Sequence, residues 1–292
     1  MPHPSLRDLE NPGLSLREYA VNHLLIVLRP DESVLLMKRV QRMTIVLLSV
    51  ALAVYAGLCL VFLLSQRSFI YFPTPLRPDN ASAIPLQTPD ATLQISTRAH
   101  DGTQALIYFG GNAEDVSYSL PEFAAAFPEK AIFMMHYRGY SGSSGRPSES
   151  ALHRDAKELF KMVHAAHSDV TVIGRSLGSG VAIRLASEEP VSRLVLITPF
   201  DSILNIARRV APFLPIGLLM SDRYESWRCA PLVKAPTLIL AAANDALVPA
   251  ASTWSLLRAF SPGVATMRFL NGTDHNSVSE TPEFMEAIQA GR

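Results

Sequence analysis

Residues 170–180 read VTVIGRSLGSG. A β-branched, apolar run leads straight into Gly174-Arg175-Ser176-Leu177-Gly178, and VAIRLASEE (181–189) follows with helical character. Strand, G-x-S-x-G, helix is the order of a sharp turn that pushes a serine side chain into the open. Glycines flank the serine because a Cβ at either place meets neighbouring backbone. The start of the helix adds partial positive charge beneath the hydroxyl. An ordinary glycine-rich strand–helix loop has a similar string, so the rest of the chain has to decide.

Outward from that turn the pattern alternates. Apolar runs at 105–109, 131–136, 170–174, 193–198, 236–242 and 265–270 read as strands covered on both faces. Amphipathic stretches at 116–127, 150–167, 177–188, 250–260 and 281–290 read as helices. The expected fold is α/β: a mostly parallel sheet with helices on both faces. Ligands of such sheets sit beyond the carboxyl ends of the strands.

A serine hydroxyl needs a base to act as nucleophile at neutral pH. Of the eight histidines, His275 stands out, in the polar loop NGTDHNS (271–277) after the last strand. His3 and His23 precede the apolar segment described below. His153, His164 and His167 lie in an amphipathic helix, His136 ends a strand and His100 is in a loop. His164 and His167 have metal-like spacing but no evident third ligand, so no metal is expected. The base in turn needs an acid to orient it. Asp245, after the strand TLILAAA (237–243), is preferred; Asp201, in TPFDS (198–202), is the rival. Asp274 is too close in sequence to orient its neighbour, and Asp222 reads as a surface residue of an insertion. Oxyanion donors are expected at the backbone N–H of Leu177 and of Asn112, with Gly111 the alternative to Asn112. A phosphate cradle is excluded, because no Lys-Ser/Thr follows the Gly110-Gly111 pair at the required spacing.

Composition narrows the class. The 292 residues carry 26 basic and 26 acidic side chains, a formal net charge of zero, which argues against nucleic acid as a partner. Two cysteines, Cys59 and Cys229, are too few for a disulfide scaffold or a cysteine zinc cluster. Residues 43–64, MTIVLLSVALAVYAGLCLVFLL, are 22 residues without a charge. As a helix they reach about 33 Å, enough for one membrane crossing. The run is long for a cleaved signal peptide, and the following SQRSFIYFP has no A-x-A site. Leu58 before Cys59 is too bulky for lipoprotein processing. Lys38, Arg39 and Arg42 lie on the amino side, with only Arg67 and Arg77 close behind. The positive-inside rule then keeps the amino terminus cytoplasmic and puts residues 65–292 on the opposite side, periplasmic in a bacterium. The expected organisation is a leader at 1–42, a transmembrane helix at 43–64, a linker at 65–89 and an α/β domain at 90–292. MKRVQRM (37–43) resembles a signal-anchor opening, so Met37 is a candidate start.

Taken together, FGGNAEDVS (109–117), YRGYSGSSGRPSE (137–149), GRSLGSG (174–180), NDALVP (244–249) and GTDHN (272–276) resemble α/β-hydrolase-fold serine hydrolases. With SFIYFPTP (68–75) the chain is similar to their single-pass, membrane-anchored branch, which includes lysophospholipases and acyl-protein thioesterases. The resemblance covers roughly residues 65–290. It implies hydrolysis of small-molecule or lipid acyl esters or thioesters without a cofactor. Ser176 then matches the nucleophile, Asp245 the acid and His275 the base. Two features depart from the pattern. Gly110-Gly111 stands where many relatives have His-Gly, and only 37 residues separate Phe72 from Gly110, room for two short strands at most.

In the insertion at 201–230, Phe213, Leu214, Ile216, Leu218, Leu219 and Met220 form an apolar cluster. It reads either as a lid lining an acyl pocket or as helices packed on the sheet. Arg138 and Tyr140 border the pocket without an assigned role. Two other functions remain open: a peptidase using the same three residues, and a non-catalytic, membrane-tethered binding module. Ester against anilide turnover separates the first, and loss of any of the three residues favours the second.

Overall fold

The computed structural model describes residues 30–76 and 83–290; most of the leader and residues 77–82 of the expected linker lie outside the described residues. The chain divides into two compact units, Met1–Leu60 and Val61–Arg292. The first is described by one helix, α1 (Pro30–Ser65), whose carboxyl end enters the second. It opens 13 residues before the uncharged run, at Pro30-Asp31-Glu32, a helix-start signature. Most of its apolar side chains are exposed, Leu47 and Leu52 among them, and its mean hydropathy reaches 2.7 over 18 residues. By length and composition it is a candidate transmembrane span.

In the second unit the strands are β1 (Ala83–Thr88), β2 (Ala91–Arg98), β3 (Gln104–Phe109), β4 (Ala131–Met135), β5 (Asp169–Arg175), β6 (Arg193–Ile197), β7 (Thr237–Ala242) and β8 (Ala265–Leu270). The helices are α2 (Leu120–Ala126), α3 (Glu149–Ala166), α4 (Leu177–Glu188), α5 (Ile203–Val210), α6 (Ile216–Leu219), α7 (Ser226–Cys229), α8 (Ala250–Ala259) and α9 (Pro282–Gln289). The sheet order is β1-β2-β4-β3-β5-β6-β7-β8. Every pairing from β4 to β8 is parallel, and β2 alone runs against its neighbours. This is the α/β-hydrolase fold.

Period-two alternation sends side chains to two cores. From β3, Ala105, Ile107 and Phe109 join Leu152, Leu159 and Phe160 of α3 and Val181 and Leu185 of α4. Leu106 and Tyr108 of the same strand join Phe123 of α2 and Phe284 and Ile288 of α9. Leu106 and Ile107 are fully buried, each worth about 1.5–3 kcal/mol relative to exposure. Both faces are covered, so these strands are apolar throughout.

The stretch between Phe72 and Gly110 differs from expectation. It holds three strands, β1 to β3, because Pro89-Asp90 closes the β1–β2 hairpin in two residues. β1 lies inside the 65–89 stretch read as a linker, and Ile70 and Tyr71, also in that stretch, are buried in the core. Pro85 fits β1 because this is an edge strand.

Candidate active site

Four loops leave the carboxyl edge of the sheet, after β3 and β5 on one side of β6 and after β7 and β8 on the other. β5 ends at Arg175 and α4 begins at Leu177, so the chain reverses at one residue. Ser176 holds φ 47° and ψ −115°. A non-glycine residue there is strained by about 1–3 kcal/mol. Packing over-determines the turn. The Ser176 N–H donates to Ile197 O across the sheet at 2.9 Å. A Cβ on Gly174 would lie 2.4 Å from Gly178 O, and one on Gly178 would lie 2.1 Å from Phe109 O. Only glycine lets the strand, the helix and the loop after β3 close on the serine.

Ser176 Oγ lies 2.8 Å from His275 Nε2, and His275 Nδ1 lies 2.7 Å from Asp245 Oδ2. With Nδ1–H donating to the carboxylate, Nε2 is free to accept the serine proton. Asp245 Oδ1 is held by the backbone N–H groups of Leu247 (2.9 Å) and Val248 (2.7 Å). The His275 loop is folded by Asp274, which accepts from the N–H groups of Asn276 and Ser277, both at 2.9 Å. Those donors keep the exposed Asp274 carboxyl below the usual carboxylate range.

The other candidates are engaged elsewhere. Asp201 accepts from Asn205 Nδ2 at 2.7 Å and from the Ser252 hydroxyl. Asp222 is buried rather than on the surface: it takes Arg67 Nε at 2.9 Å and the Tyr71 hydroxyl at 3.2 Å. His136 pairs with Ser96 Oγ at 2.8 Å inside the core, and burial pushes its pKa down. His167 Nδ1 meets Gly102 O at 2.7 Å. Arg138 is buried in an ion pair with Asp155 at 2.7 Å. Among the described residues no three His, Cys, Asp or Glu side chains gather as a metal cluster.

In the loop after β3, the Gly111 N–H donates to Glu114 Oε2 at 2.6 Å. The N–H groups of Asn112 and Leu177 make no hydrogen bond among the described residues. Both residues line a cleft of about 540 Å³ that also holds Ser176 and His275. Two clefts of 580 and 710 Å³ lie elsewhere, without any of these four residues.

Residues 99–292 match the alpha/beta hydrolase family over most of the catalytic unit. The chain belongs to this family. A Mycobacterium tuberculosis relative, uncharacterized protein Rv2307c, is 32% identical over 76% of this chain and 84% of its own length. Protein bem46 of Schizosaccharomyces pombe is 30% identical over 56% of this chain and 58% of its own. Among solved structures, the Pyrococcus furiosus esterase Pf2001 superposes with TM-score 0.60 at 15% identity, covering 75% of this chain and 96% of the esterase. A hydrolase from Pseudomonas aeruginosa gives 0.58 at 18% identity, over 72% and 98%. Membership supports hydrolase activity, and these two structures share the fold.

For this hydrolase, residue-type reasoning overlooked a support layer. Glu114 accepts from the Tyr108 hydroxyl at 2.8 Å as well as from Gly111. Arg175, the variable residue before the serine, lies 3.5 Å from Glu114 and donates to Asn276 O at 3.1 Å. A carboxylate three residues past the glycine pair was the available signal. The insertion enters the cleft through Ile203 and Ile206 of α5. Of the 213–220 cluster, Ile216 and Met220 are buried in the core, whereas Phe213 and Leu218 are exposed.

Proposed function

We propose that the chain is a membrane-anchored serine hydrolase that cleaves carboxylic ester or thioester bonds through Ser176, His275 and Asp245. One observation carries this reading: an unbroken hydrogen-bonded line from Asp245 through His275 to Ser176, the last two lining a partly apolar cleft. Ser176 Oγ attacks the acyl carbonyl as its proton passes to His275 Nε2. The N–H groups of Leu177 and Asn112 take the oxyanion; Gly111 is the weaker choice because Glu114 occupies its N–H. His275 then protonates the departing alkoxide or thiolate, leaving an acyl-enzyme. Water, deprotonated by His275, releases the acid and restores Ser176. Asp245 stays ionised and stabilises the imidazolium.

The apolar lining by Phe200, Ile203, Ile206 and Leu247 suits an acyl chain. Residues 43–64 act as the span. Lys38, Arg39 and Arg42 keep the amino side cytoplasmic, so the catalytic unit faces the other compartment, the periplasm in a bacterium. A fluorophosphonate probe tests the chemistry on the full chain in detergent. Wild type labels and Ser176→Ala does not, with kcat on p-nitrophenyl esters falling by several orders of magnitude. Equal labelling of the two proteins refutes the assignment.

A further inference from the structure

Residues 66–76 follow the end of α1 and fall in the stretch read from sequence as a linker, yet they are bonded to the rest of the second unit at Gln66, Arg67, Tyr71, Phe72 and Thr74. Gln66, 5% exposed, donates to Leu219 O at 3.0 Å and accepts from the Ser221 N–H at 2.7 Å. Arg67 pairs with Asp222 at 2.9 Å, and the Tyr71 hydroxyl lies 2.9 Å from that of Tyr224. The Phe72 N–H donates to the Tyr140 hydroxyl at 2.8 Å and to Asn112 Oδ1 at 3.0 Å. Thr74 O accepts from the Ser141 N–H at 2.8 Å. A solvated tether has no reason to bury a glutamine amide, an isoleucine and a tyrosine together.

This strap reaches the reacting centre in two ways. Phe69 and Ile70 line the same cleft as Ser176 and His275, together with Ile203 and Ile206. Phe72 meanwhile fixes the side chain of Asn112, the residue whose N–H is assigned to the oxyanion. Ile70 is buried, but Phe69 is 65% exposed. A ring that lines a cleft while most of its surface stays wet gains burial only when a ligand long enough to cover it is bound.

We infer that the strap forms an acyl-chain subsite, in which Phe69 and Ile70 set the preference for long over short acyl groups. This rests on the serine-hydrolase reading above. An acetyl group fills only the floor beside Ser176, whereas a decanoyl chain extends along the apolar wall and covers the Phe69 ring. Covering part of a phenylalanine is worth about a tenfold factor in kcat/KM.

The test uses the full chain in detergent, with p-nitrophenyl acetate and decanoate as substrates and fluorophosphonate labelling in parallel. Phe69→Ala changes an exposed residue and leaves the core packing intact. It is expected to lower the decanoate-to-acetate ratio of kcat/KM about tenfold, and Phe69→Trp to restore it. An unchanged ratio with wild-type labelling overturns the subsite and leaves the hydrolase reading standing. Equal losses on both esters also overturn it, because they mark a general defect. Failure of the wild type to label overturns the hydrolase reading, and the subsite with it.

Discussion

Arg175 lies 3.5 Å from Glu114, and this pair joins three loops that are far apart in sequence. Through Glu114 it holds the Gly111 N–H, through Arg175 it holds the carbonyl of Asn276, and Arg175 itself precedes Ser176. The pair is mostly shielded, with side chains 19% and 12% exposed. Loops carrying the nucleophile, the base and the proposed oxyanion donor therefore share one electrostatic junction.

Glu114→Ala is expected to lower kcat by about tenfold to a hundredfold with little change in KM. It leaves the Gly111 N–H without its acceptor, at a cost of about 1–3 kcal/mol, and frees the loop after β3. Glu114→Gln keeps one acceptor oxygen and recovers part of the loss. Steady-state kinetics on a short acyl ester read both; a loss confined to KM goes against a positioning role.

The two candidate acids separate cleanly. Asp245→Asn removes the carboxylate charge and can turn an amide N–H toward His275 Nδ1, which favours the wrong imidazole tautomer; it is expected to cost roughly 10³- to 10⁴-fold in kcat. Asp201→Asn disturbs only contacts to Asn205 and Ser252 and is expected to stay within about threefold of wild type. Comparable losses in the two variants contradict the assignment of Asp245.

Activity depends on His275 Nε2, which must accept the Ser176 proton. His275→Ala is expected to lower kcat on a p-nitrophenyl ester by several orders of magnitude. Steady-state kinetics check this, and a variant within about threefold of wild type removes His275 as the base.

Stability carries an acid dependence, from a different histidine. His153 of α3 lies edge-on to Tyr224 with a ring-centroid distance of 5.6 Å. Burial, aided by the Arg184 charge, pushes its pKa down to about 4. The folded state thus prefers the neutral ring. Its contribution is fully present above the unfolded value of about 6.5 and is lost as pH falls through about 4. The loss across that window is about 3 kcal/mol. His153→Phe keeps a ring against Tyr224 and is expected to flatten this part of the stability curve, measured by thermal unfolding at several pH values.

The parallel strands and the turn at Ser176 were legible because burial on both faces leaves continuous apolar runs, and because the glycines at 174 and 178 have one steric purpose. The order of Ser176, Asp245 and His275 along the chain pointed to three residues that the fold brings into hydrogen-bonding range. β1 and β2 were harder to read. Both sit at one edge of the sheet, where AIPLQT and ATLQISTR mix polar with apolar residues and carry a proline. The strap at 66–76 looked like a linker because its prolines and aromatics suit an extended exit as well as a docked one. The burial of Asp222 and the function of Glu114 depend on long-range partners, Arg67 in one case and Arg175 in the other. Neither partner is close in sequence, so no local pattern reveals the pairing.

The bonding of Gln66 to Leu219 and Ser221 sets a boundary for anyone who shortens the polypeptide for solution work. A cut made just ahead of Gln66 discards the exposed hydrophobic helix but also Phe62, which packs against the core, and the Leu63 carbonyl that accepts from Gln66. A cut at the proline-rich stretch, where composition alone invites it, strips a wall from the cleft and leaves the Asn112 amide and the Asp222 carboxylate without their strap partners.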